Sequence, residues 1–217
     1  MATLYSLHPQ NPQQNRIDKI TEALKKGAVM LYPTDTVYAI GCDLNVKSAL
    51  ERVRNIKQIS NDKPLTFLCP SLSNISKYAW VTDRAYRIMK RLIPGPYTFL
   101  LPATKLVPKL VMSPNRKTTG IRVPDRPICQ TLLQSLGNPI ISTSAHLLDE
   151  EGEFPTVGLE KPRLFDALDK LVDIIIDDDS EPGFEVSTIL DFTTDEPSIV
   201  RKGLGWEELQ NWLVLAE

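Results

Sequence analysis

"AVMLYPTDT", residues 28–36, is an apolar run with an abrupt polar end. Ala28 to Tyr32 have the length of a buried strand, and Pro33 with Thr34, Asp35 and Thr36 closes the run as a loop. Upstream, Ile17, Ile20 and Leu24 share one face of a helix that Gly27 ends. Downstream, Val46, Leu50, Val53 and Ile56 repeat at helical spacing, and "LTFLC" (65–69) predicts the next strand. Helices and strands alternating in this way define an α/β chain.

The alternation continues. Ala85, Ile88, Met89 and Leu92 predict an amphipathic helix that stops at Pro94-Gly95-Pro96, before the strand "YTFLLP" (97–102). "GIRVP" (120–124) precedes a helix from Pro127 to Leu136, with Pro127 suited to its first turn and Gly137 to its end. "PII" (139–141) is a strand entering "STSAH" (142–146). Beyond a polar, acidic loop come a helix near 162–170 and the strands "LVDIII" (171–176), "STILDF" (187–192) and "SIVR" (198–201). Close succession of these last three predicts antiparallel neighbours, and so a mixed sheet with parallel and antiparallel pairs.

At 217 residues the chain is long enough for one substantial core, and no linker or repeat divides it, so a single domain over 1–217 is expected. No apolar run approaches the roughly 18 residues of a bilayer span, and no secretory signal is visible, so no membrane association and a cytoplasmic location are expected. Cys42, Cys69 and Cys129 are odd in number and unclustered, which suggests neither a disulfide framework nor zinc. "IIIDDDSEPG" (174–183) reads as a solvated turn, and no metal ligand is assigned. A net charge of −2 argues against indiscriminate nucleic-acid binding but leaves room for a local basic face that touches RNA. Basic residues gather from Lys47 to Lys63 and from Arg116 to Arg126.

Ser144 and His146 invite a hydrolase reading in which imidazole takes the hydroxyl proton. In an extended chain their Cα atoms are roughly 6.5 Å apart, and no G-x-S-x-G elbow surrounds Ser144. Small hydroxylic residues at a strand end suit an anion better, because backbone N–H groups and hydroxyls can approach it closely. Thr34, Asp35, Thr36 and Tyr38 could hold a small zwitterion, or form only a hydrogen-bonded turn. Arg122 and Arg201 sit at strand positions, where a guanidinium can grip phosphate or carboxylate bidentately or serve a structural salt bridge. Lys57 and Lys63 bracket a connection where they could neutralise phosphate or simply lie at the surface. Neither G-x-x-x-x-G-K-[ST] nor G-x-G-x-x-G occurs, so a nucleotide would be held without those loops.

Taken in order, "YPTDTVYAIG", "IKQISNDKPL", "PGPYTFLLP", "GIRVP", "STSAH", "STILD" and "VRKG" resemble the YrdC/YciO family, which includes threonylcarbamoyl-AMP synthases. The likeness runs from about residue 14 to 205 and is closest to the YciO branch. It implies a twisted mixed α/β sheet with a large, positively lined concave cavity. It implies condensation of L-threonine, bicarbonate and ATP, with Mg²⁺, into threonylcarbamoyl-AMP and pyrophosphate. A partner would then transfer the group to an adenosine of tRNA. By this resemblance Thr34 and Tyr38 hold threonine, and Thr98 lines the cavity. Lys57 and Arg122 meet phosphate or carboxylate as catalytic residues, and Ser144, His146, Ser187 and Arg201 occupy nucleotide-contacting positions.

Two departures stand out. The synthase pattern K-x-R is Lys57-Gln58-Ile59 here, and S-x-N is Ser144-Ala145-His146. The first replaces a guanidinium by a branched alkyl group, and the second an amide by an imidazole. Both point to weakened or altered synthesis; the alternative is a nucleotide- or RNA-binding protein, contacting tRNA or another RNA, that keeps the cavity without turnover.

Overall fold

The computed structural model describes residues 1–60, 64–146, 159–194 and 196–215, the last five of these as backbone only. Lys63 and the acidic loop after His146 lie outside the described residues. In chain order the elements are β1 (Thr3–Ser6), α1 (Gln14–Lys25), β2 (Met30–Tyr32), β3 (Ala39–Asp43), α2 (Lys47–Ile56), β4 (Thr66–Leu68), α3 (Leu72–Tyr78), α4 (Asp83–Leu92) and β5 (Tyr97–Pro102). They continue with β6 (Thr118–Arg122), α5 (Pro127–Leu136), β7 (Ile140–Ser144), α6 (Lys161–Leu168), β8 (Ile174–Asp177), β9 (Thr188–Asp191), β10 (Ser198–Arg201) and α7 (Trp206–Leu215).

Among the described residues, ten strands join one mixed sheet in the order β1-β8-β2-β3-β7-β4-β6-β5-β9-β10. β1, β8 and β2 run parallel, as do β4 with β6 and β5 with β9, while the other pairs are antiparallel. The sheet is therefore mixed as expected, but only β9 and β10 of the last three strands are neighbours. β8 lies at the far side of the sheet, second from its edge, where its buried "IIID" run pairs in parallel with β1 and β2.

Strand alternation builds two apolar layers. Met30, Tyr32, Ile140, Ile174 and Ile176 face one side, where they meet Ile17, Ile20 and Leu24 of α1 and Ile128, Cys129, Leu132, Leu133 and Leu136 of α5. Leu31, Ile40, Phe67, Phe99, Ile121, Ile141 and Ile175 face the other, under α2, α3, α4 and α6. Each such Leu or Ile contributes about 1.5–3 kcal/mol by leaving water. α5 starts on Pro127, and Gly137 ends it at φ +74°, a left-handed conformation that costs glycine little.

Candidate functional site

On the side that carries α1 and α5, the strands toward β10 present polar or small side chains. In register across the sheet stand Ala39 opposite Ser144, Ser142 opposite Thr66, Thr66 opposite Gly120, and Arg122 opposite Thr98. On β9, Ile189 pairs with Thr98 and with Arg201 of β10. These positions, from successive rows of the sheet, floor a cleft of about 250 Å³. Thr34 and Thr36, from the loop after β2, form one wall; Ile59 and Pro64 to Thr66 form another. Gly120 belongs in the floor, because a Cβ there would come within 2.7 Å of Thr66 Oγ1.

Thr34, Thr98, Arg122, Ser144, Ser187 and Arg201 come together in this cleft. Thr98 Oγ1 and Ser187 Oγ are 2.8 Å apart, and Arg201 donates to Ser187 O and Oγ. Thr34 donates to Val37 O at 2.6 Å and lies 3.0 Å from Thr36 Oγ1, so the threonines are tied into a firm turn while still facing the cleft. Ser142 and Thr143 of the hydroxylic "STSAH" run also line it, as does Thr66, which the sequence did not single out. Ser142 shares a strand face with Ser144 two residues on.

Arg122 is held on several sides. Its Nε donates to Gly95 O and Nη1 to Thr36 Oγ1, and Nη2 sits 2.5 Å from Asp35 Oδ1. That last contact is charge against charge, since neither atom finds hydrogen-bond geometry. Asp35 Oδ2 accepts from the Asp125 backbone N–H. The guanidinium is thus fixed at the cleft wall, with its charge set against the Asp35 carboxylate.

Lys57, Tyr38 and His146 stand outside the cleft lining. Lys57 is buried, and its ammonium donates to Ser144 O, at 2.8 Å, and to His146 O. It holds the end of β7 in place from behind. Tyr38 packs edge-on against Phe165 and shares a small crevice with His146, Ala145 and Phe184. Its hydroxyl is buried without a hydrogen-bond partner among the described residues. Burial, aided by the charges of Lys57 and Arg201, holds the His146 imidazole below its ordinary range. Ser144 and His146 therefore face different spaces, which disfavours a nucleophile and base.

Burial pulls the Lys57 ammonium down to about 8 from an ordinary 10.5. Below pH 8 both folded and unfolded chains hold this proton. Between pH 8 and 10.5 only the unfolded chain does, so stability contributed through Lys57 rises with pH across that window. Urea denaturation at pH 7, 8, 9 and 10 is expected to show the wild type gaining on Lys57→Met over the interval. A constant difference would contradict the buried ammonium.

The open mixed sheet thus holds hydroxyls and two guanidinium groups together in one cleft. The family profile Sua5/YciO/YrdC, described as "Telomere recombination", matches residues 22–203, and the chain belongs to this family. It is 42% identical over 205 residues to the uncharacterized protein YciO of Escherichia coli K12, covering 94% of this chain and 97% of that one. The crystal structure of E. coli YciO superposes with a TM-score of 0.85. A threonylcarbamoyl-AMP synthase of Vibrio vulnificus is 35% identical over 136 residues, 61% of this chain and 73% of that protein. The P. abyssi Sua5 structure complexed with L-threonine shares the fold at a TM-score of 0.84 and 24% identity, over 97% of this chain and 60% of that one. No helix among the described residues is long and apolar enough to cross a membrane.

Proposed function

We propose that the cleft carries a threonylcarbamoyl-AMP synthase-like reaction of low rate, linked in the cytoplasm to tRNA threonylcarbamoyladenosine modification. The observation that supports it is Arg122 and Arg201 facing a hydroxyl-lined cleft, in a chain with a named synthase among its relatives. The threonine amine takes up carbon dioxide from bicarbonate to form a carbamate. A carbamate oxygen then attacks the α-phosphorus of ATP, and the bond to the β,γ-pyrophosphate breaks. Arg122 offsets charge at the carbamate or the phosphate. Arg201, Ser187 and Ser144 position the nucleotide, while Thr34 and Thr98 orient threonine through their hydroxyls. Tyr38 and His146 support the wall behind them, and Lys57 acts through β7.

The described cleft lining has no carboxylate, and the described residues hold no cluster of metal-ligating side chains. These residues do not fit a resident Mg²⁺ site; the ion would enter with the ATP phosphates, and no step is assigned to it. Ile59 favours a second reading, a nucleotide-binding protein without turnover, because an alkyl group lines the wall where the synthase pattern places a guanidinium. Pyrophosphate release from ATP that requires both threonine and bicarbonate separates the two: the synthase reading predicts it, and its absence leaves only binding.

A further inference from the structure

Residues 178–187 connect β8 to β9, two strands with six others between them in the sheet. The connection is a strap along the cleft. Its far end, Val186 and Ser187, lines the cleft; Val186 O accepts from Leu204 N, and Ser187 Oγ meets Thr98 and Arg201. Midway, Gly183 lies so close to the turn after β2 that a Cβ there would fall 1.8 Å from Thr36 O. Only glycine permits that approach. Thr36 Oγ1 accepts from Arg122 Nη1, so the strap rests directly on the wall that holds the cleft guanidinium.

The near end is fixed by a closed triangle. The Arg126 guanidinium pairs with Asp178 and donates to Ser180 Oγ at 2.6 Å, and Ser180 Oγ donates in turn to Asp178 Oδ1 at 2.6 Å. The Asp178 side chain is 0% exposed. Burial acts to raise its carboxyl, and the hydrogen bonds from Arg126 and Ser180 outweigh that effect and hold it below its ordinary range. Asp35 ties the anchor to the site, because it pairs with Arg122 and also accepts from Asp125 N. One short segment, 122–126, therefore carries a cleft guanidinium at one end and the anchor of the strap at the other.

We propose that Arg126 is a positioning residue for the cleft: by pinning Asp178 and Ser180 it seats the strap on Thr36 and sets where Val186 and Ser187 face the ligand. The charge of the strap gives the pin a purpose. Asp179, Glu181 and Glu185 are exposed, and none of them lines the cleft. A strap released from Arg126 would be free to bring these carboxylates toward an anionic ligand, where like charges repel. The effect on nucleotide affinity rests on the reading of the cleft under Proposed function; the seating of the strap does not.

The test measures hydrogen exchange over residues 180–187 and binding of mant-ATP by the full chain. Four variants are compared. Arg126→Met/Asp178→Asn removes the pin without stranding a buried charge, and Arg126→Lys keeps the charge. Gly183→Ala displaces the strap and leaves the ion pair in place. Arg52→Met breaks the half-exposed pair with Asp173 at the opposite end of β8, a control for the loss of an ion pair as such. The double variant and Gly183→Ala are each expected to exchange about tenfold faster at 180–187 and to bind mant-ATP about tenfold more weakly. Arg126→Lys should recover most of the affinity, and Arg52→Met should match the wild type in both readings. Wild-type exchange in either the double variant or Gly183→Ala would overturn the proposal, as would an equal loss of affinity in Arg52→Met. Faster exchange with unchanged affinity would overturn it too, because the strap would then be pinned without serving the cleft. If the wild type binds no mant-ATP, the nucleotide reading fails, and exchange alone decides: faster exchange supports the seating by Arg126, and wild-type exchange refutes it.

Discussion

Arg122→Met is expected to destabilise the protein by about 3–5 kcal/mol, a fall in melting temperature of about 10 °C for a chain of this size. The side chains of Arg122 and Asp35 are only 7% and 11% exposed, and Asp35 keeps a single backbone donor once the guanidinium is gone. A buried carboxylate without its counter-charge is the source of the penalty. The same substitution takes one donor from Thr36 Oγ1 and one from Gly95 O, so the wall that carries Thr34 loosens as well. Asp35→Asn in the Arg122→Met background removes the stranded charge and is expected to restore part of the loss. Thermal melts of the two variants check this. If Arg122→Met melts within 2 °C of the wild type, the pair does not anchor the cleft wall.

The second large effect is a gain. Ile59 lines the cleft, and arginine at this position would add a cation opposite Arg122 and Arg201 where phosphate charge redistributes. A restored transition-state contact of this kind is worth about a hundredfold in rate. Ile59→Arg is therefore expected to raise synthesis by about that factor. His146→Asn has the smaller effect, because the imidazole faces the crevice shared with Tyr38. Initial rates of the single and double variants decide the assignment. If the double variant matches the wild type, the lesion is elsewhere.

Where an element's own residues enforce it, the sequence predicted it closely. "YTFLLP" is a strand over its full length, and the Pro127 start and Gly137 stop of α5 are where turn chemistry put them. Elements that depend on neighbours escaped. β3, "AIGCD", contains Ala, Gly and Asp and has weak strand propensity; it is a strand because β2 and β7 pair with it on both sides. β1 is short and mostly exposed and is secured by β8 at the sheet edge. α3 buries only Ile75, so no apolar period announces it, and α7 likewise went unread.

The site followed the same division. Residues that point into the cleft from strand ends, Thr98, Arg122, Ser144, Ser187 and Arg201, were recoverable from hydroxyl and guanidinium positions along the resemblance. The division of labour between Lys57 and the cleft was not. A lysine in a motif reads as a cation for phosphate, and only the return of β7 over α2 shows that its ammonium is spent on two carbonyls.

The most direct measurement is mass spectrometry of the product formed from ATP, L-threonine, Mg²⁺ and ¹³C-labelled bicarbonate by wild type, Arg201→Ala and Ile59→Arg. The account predicts labelled threonylcarbamoyl-AMP with matching pyrophosphate from the wild type at a low rate, a loss of product in Arg201→Ala and a rise in Ile59→Arg. Absence of labelled product from both wild type and Ile59→Arg, with ATP still bound, would contradict synthesis in this cleft.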